Sequence, residues 1–82
     1  MKIYWTKRFR KQFARLSPEG QSAVQRALNA FTQPGRIQPL RRFPHYYELR
    51  AGLKWRVIWF YGDDGIVILR TVKPHDRALA RP

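Results

Sequence analysis

Three cations stand among the most apolar residues of the chain, in the stretch YYELRAGLKWRVIWFY that runs from Tyr46 to Tyr61. Arg50, Lys54 and Arg56 share that stretch with a single acid, Glu48. An arginine forks phosphate oxygens bidentately, and an aromatic ring such as Tyr46 or Phe60 offers a surface on which a nucleobase stacks. These residue types therefore suit a phosphate-and-base platform. The plainer reading of Glu48 and Arg56 is an exposed cross-strand ion pair, worth about 0.5 kcal/mol. That reading leaves Arg50 and Lys54 without an acid nearby to balance them.

A second group lies in KPHDR, residues 73–77. His75 carries the one side chain whose ordinary pKa lets it exchange protons near neutral pH. Lys73 and Arg77 flank it, and their fields favour its neutral form. Asp76 is the neighbouring alternative for proton transfer. His45, following Pro44, reads as a loop histidine. Two histidines and scattered acids give no metal-ligand spacing, so no metal and no cofactor are expected. Neither a glycine-rich phosphate loop nor a Ser-His-Asp arrangement is present.

The elements that must position these residues follow from local pattern. KIYW is short and β-prone, with Ile3 and Trp5 on one side of the alternation. Thr6 is an N-cap for a helix that presents Phe9, Phe13 and Leu16. In LSPEGQSAVQRALNAF, Ser17 caps a second helix with Pro18 at its first position and Glu19 in its first turn. Its apolar stripe is Val24, Ala27, Leu28 and Phe31. Residues 35–44 form a basic, proline-punctuated connection without a clear period. A hairpin follows, then the turn YGDDGI, a last strand IVILRTV and a polar tail. The order β-α-α-β-β-β predicts an α+β domain over residues 1–82, with a helical pair on one face of a small, largely antiparallel sheet.

A three-residue turn Ala51-Gly52-Leu53 would set Arg50 opposite Lys54, Leu49 opposite Trp55, Glu48 opposite Arg56 and Tyr47 opposite Val57. Cross-strand partners share a face. Tyr47, Leu49, Trp55, Val57, Trp59 and Tyr61 then pack under the helices. Glu48, Arg50, Lys54 and Arg56 line the uncovered face, beside Tyr46, Ile58 and Phe60. A two-residue turn would mix the two sets, and a one-residue slip exposes a whole apolar face.

Composition narrows the class of partner. Seventeen Lys and Arg against five Asp and Glu give a net charge of +12 over 82 residues. So lopsided a balance calls for a polyanion: nucleic acid, an anionic surface or an acidic protein. The absence of cysteine excludes a disulfide scaffold and a thiolate nucleophile. No apolar run approaches the roughly 20 residues of a membrane span, and the N-terminus has no signal-peptide h-region. The expectation is a soluble, cytoplasmic protein with no membrane or small-molecule partner.

Taken in order, TKRFRKQFARLSPEGQSAVQRALNAFTQP, PLRRFPHYYELRAGLKWRVIWFY and IVILRTVKPHDR resemble the RelE/ParE superfamily of bacterial toxins. The resemblance covers nearly the whole chain. Its most telling pieces are the L-S-P-E helix start and Y-E-L-R-A-G…W-R-V-I-W, similar to the family's Y-R-L-R-x-G…Y-R-V-V-Y. It implies a toxin neutralised by an acidic cognate antitoxin. In the RelE branch the implied activity is cleavage of messenger RNA in the ribosomal decoding site; in the ParE branch it is poisoning of DNA gyrase. By the same resemblance Arg56 matches a phosphate-binding catalytic arginine and Arg50 a catalytic basic position. Glu48 falls where some members carry a lysine. His75, with Arg77 close behind, falls where members show G-H-R or a basic run, although Lys73-Pro74 replaces the glycine. The tyrosine that some members carry near the C-terminus is absent after Tyr61.

The function expected from this resemblance is a metal-independent endoribonuclease acting on mRNA at the ribosome. A ribose 2′-oxygen would attack the adjacent phosphate, with Arg56 and Arg50 on the phosphate, His75 moving the proton and Glu48 or Asp76 standing second. Lys54, Tyr46, Lys73 and Arg77 would bind RNA. The alternatives are a gyrase inhibitor and a non-catalytic RNA-binding relative.

Overall fold

A computed structural model describes residues 2–32, 38–39 and 45–74. Strand β1 (Ile3–Trp5) leads into helices α1 (Lys7–Ala14) and α2 (Pro18–Leu28), the latter extended by a 3-10 turn over Asn29–Thr32. Then come β2 (Gln38–Pro39), β3 (Tyr47–Ala51), β4 (Trp55–Tyr61), a 3-10 turn at Asp63–Gly65 and β5 (Val67–Pro74). The five strands form one sheet in the order β1-β5-β4-β3-β2, with β1 parallel to β5 and the other pairs antiparallel. The α+β class and the helical pair stand as expected. The added piece is β2, two residues inside the segment expected to have no regular structure. It carries Pro39, which an edge strand tolerates because one side of it needs no ladder donor.

Both helices start where their caps require. The Phe9 N–H donates to Thr6 Oγ1 (3.1 Å) and the Gly20 N–H to Ser17 Oγ (3.1 Å). Thr6 Oγ1 also donates to the Leu69 carbonyl (2.7 Å), which ties the start of α1 to β5. The helices cover one face of the sheet through a core of Phe9, Ala23, Val24, Phe31, Leu49, Val57, Trp59, Val67, Leu69 and Val72. Trp59 is fully buried, stacked on Tyr47 (4.7 Å) and edge-on to Phe31 (4.9 Å). Trp55 is half-buried and packs closely over Gly20, where an added Cβ would lie 3.0 Å from its ring.

The hairpin register differs from the expected one. Its turn is Gly52-Leu53-Lys54, with Gly52 at φ 64°, so that Ala51 pairs with Trp55 and Leu49 with Val57. Arg50 faces Arg56, and Glu48 faces Ile58. The difference amounts to two residues along β4, so the strand residues keep their expected faces, while Lys54 leaves the strand for the turn. The apolar pattern fixes which face is buried but is satisfied equally by both pairings. Turn chemistry decides between them, because the positive φ at the first turn position suits Gly52.

Candidate anion-binding face

The face of the sheet turned away from the helices carries Tyr46, Glu48 and Arg50 beside β3, and Arg56, Ile58 and Phe60 on β4. On β5 a bulge completes it. Ile58 pairs with Thr71 but Trp59 with Leu69, which leaves Arg70 as an extra residue. Uninterrupted alternation from buried Leu69 would turn Lys73 toward the helices and Val72 outward. The bulge reverses this: Val72 is 5% exposed in the core and pairs with Val57, while Lys73 lies opposite Arg56. Three cations, Arg50, Arg56 and Lys73, therefore stand directly opposite one another across β3, β4 and β5.

Their environments are unequal. Arg50 is exposed at the rim, Lys73 is half-buried, and Arg56 is 5% exposed on the middle strand. Arg56 Nε lies 2.5 Å from Glu48 Oε1, and its Nη1 donates to the Trp55 carbonyl (3.1 Å). The Glu48 contact is one of charge and not an aligned hydrogen bond, because the Nε–H is buried without a hydrogen-bond partner. Arg56 and Glu48 thus pair as expected, but by a diagonal and under cover. The expectation of an exposed pair is corrected: Arg56 is buried, and Ile58 on the same face of β4 is fully buried.

Lys54 does not join the row. It sits in the turn, 3.8 Å from Glu19 of α2 and over the Trp55 ring at 5.9 Å, so it belongs to the helix side. Tyr46 is where expected, edge-on to Phe60 at 5.8 Å. Arg70, which sequence reasoning passed over, lies over the Tyr46 ring at 5.2 Å. A cation inside the apolar run IVILRTV was the available signal. His75, Asp76 and Arg77 lie outside the described residues, so the proton-transfer candidates are not placed. Among the described residues no cluster of His, Asp or Glu is grouped as for a metal, and no helix is long and apolar enough to cross a membrane.

Fold and face together define a helix pair on a mixed sheet whose second face is a cationic and aromatic strip. The same fold occurs in solved toxin structures. The toxin–antitoxin complex RelBE2 of Mycobacterium tuberculosis matches 90% of this chain and 96% of its own at 20% identity, with a TM-score of 0.71. A YoeB/ParE toxin from Agrobacterium tumefaciens matches 92% of this chain and 99% of its own at 18% identity, TM-score 0.68. The RelB–RelE antitoxin–toxin complex of Methanococcus jannaschii matches 94% and 95% at 16% identity, TM-score 0.70. At such identities the likeness is one of fold. No protein-family model matches the chain, and no curated protein matches it in sequence.

Proposed function

We propose that the chain is the toxin of a toxin–antitoxin pair and that it cleaves messenger RNA on the ribosome. The observation that carries this reading is the row of Arg50, Arg56 and Lys73, bordered by Tyr46, Phe60 and Arg70 on a fold shared with RelE and YoeB structures. In the reaction a ribose 2′-hydroxyl gives up its proton, its oxygen bonds to the adjacent phosphorus, and the bond to the 5′-oxygen breaks as that oxygen takes a proton. Negative charge grows on the non-bridging oxygens, where fixed cations act most strongly. Arg50 at the rim meets the phosphate first, Arg56 supports it from below, and Tyr46 or Phe60 stacks a base. His75 moves the proton, with Glu48 or Asp76 as second choice; Arg77 and Lys73 extend the backbone contact. An acidic antitoxin would cover the same charge in the resting cell, and the pair would act in the cytoplasm, where translating ribosomes are.

The test is single-turnover cleavage of a message on translating ribosomes by wild-type and Arg50→Ala protein at saturating enzyme. Loss of one donor to the developing charge is expected to slow cleavage on the order of 100-fold. Equal rates would reduce Arg50 to a binding contact. One observation favours the gyrase-poison reading instead: Glu48 neutralises Arg56, leaving less charge for hydrolysis. Supercoiling assays with the same protein decide this, since gyrase inhibition with RNA left intact would replace the ribonuclease.

A further inference from the structure

We infer that Glu48 is the resident counterion of a phosphate site built on Arg56, and that an incoming phosphate binds there by displacing the Glu48 carboxylate. The inference deepens the proposed function: it takes from that reading only the source of the phosphate, not the existence of the site.

Like charges directly opposite on neighbouring strands destabilise a sheet, and here three stand in line. Of the four described acids, Glu19 lies on α2 and Asp63 and Asp64 lie in the turn after β4; Glu48 alone shares this face. Among the described residues, Glu48 is thus the carboxylate that meets the innermost cation of the row, Arg56. It meets Arg56 poorly, since Nε is within 2.5 Å of Oε1 yet remains a buried N–H with no aligned acceptor. A donor so placed keeps the charge attraction but forgoes the directional part of its hydrogen bond. Phosphate offers more oxygens in more directions than a carboxylate tethered to β3 and can align with a guanidinium edge.

The pair is also asymmetric in freedom. The Arg56 side chain is 6% exposed and held by the Trp55 carbonyl, whereas that of Glu48 is 19% exposed. The carboxylate is the partner able to turn toward water. Displaced, it would leave a phosphate against Arg56 with Arg50 at the rim. Glu48 therefore acts as an intramolecular competitor that lowers affinity for weakly held anions and keeps the cation row tolerable in the free protein.

The experiment is a titration of the full chain with inorganic phosphate at constant ionic strength, followed by NMR at the Arg56 Nε–H and the Glu48 side-chain carboxyl carbon. Both signals are expected to move together with one dissociation constant. Glu48→Gln is expected to bind phosphate roughly tenfold more tightly, the scale of one hydrogen bond to a charged group. Glu48→Gln combined with Arg56→Lys should lose that gain. Movement confined to Arg50, with the Glu48 carbon still, would overturn the inference, and so would equal affinity in wild type and Glu48→Gln. Should Glu48→Gln fail to fold, the wild-type titration decides alone. A protein that binds phosphate in this way yet leaves RNA intact would sink the ribonuclease reading without touching the site.

Discussion

At Arg56 the cost of burying a guanidinium is offset by two contacts, the Glu48 carboxylate and the Trp55 carbonyl. Removing one partner of a covered ion pair is costly chiefly because the other charge stays behind. Arg56→Ala is therefore expected to lower stability by about 3 kcal/mol in urea melts, the low end of the range because Glu48 retains some exposure. A loss under about 1 kcal/mol would show that the pair is effectively solvated. Arg50→Ala, at an exposed position, should stay within about 0.5 kcal/mol. The pairing of Glu48 with Arg56 was legible from strand alternation, since both fall on one face. Its burial was not, because nothing local says that β4 is the middle strand.

At the scale of elements, β1 is too short for the edge it protects. Its three residues pair with Val67, Ile68 and Leu69, and there the ladder ends. Past that point Gln12 of α1 serves the edge: its Oε1 accepts from the Val72 N–H (2.9 Å) and from Thr71 Oγ1 (2.8 Å). This stretch of β5 also follows the Arg70 bulge that sets Lys73 on the cationic face. Gln12→Ala strands two donors at once, Thr71 being fully buried. The expected cost is about 1–3 kcal/mol, with faster amide exchange at Val72. Unchanged exchange there would mean that the edge is held some other way.

Across the whole molecule, the core is one aromatic and aliphatic layer between the helices and the sheet, and Trp59 lies at its centre, touching Phe31, Tyr47 and Tyr61. Trp59→Ala is expected to cost about 3–5 kcal/mol as a large-to-small change in a small core, read from urea melts. A loss below about 1 kcal/mol would contradict its full burial. The layer also separates charge. Lys7, Arg8, Arg10, Lys11 and Arg15 are exposed on and just after α1, while Arg50, Arg56 and Lys73 belong to the far face of the sheet. Much of the +12 is thereby spread over two sides of the protein, which moderates its self-repulsion.

The helix starts at Thr6 and Ser17, the buried set Leu49, Val57 and Trp59, and the cationic set Arg50 and Arg56 were all determined by the chain itself. Caps and alternation are local, satisfied within a few residues. Three features depended on tertiary structure. The pairing of Arg50 with Arg56 came from a turn able to use Gly52 at positive φ, where two registers kept the same faces. The place of Lys73 in the row came from a bulge that keeps Val67, Leu69 and Val72 of β5 in one core. The burial of Arg56 shows only in the folded chain, where β4 lies between β3 and β5. The first is a choice between two local turns that alternation leaves equal; the other two depend on segments distant in sequence, and a charge on a strand reads the same at an edge or at the centre until its neighbours are known.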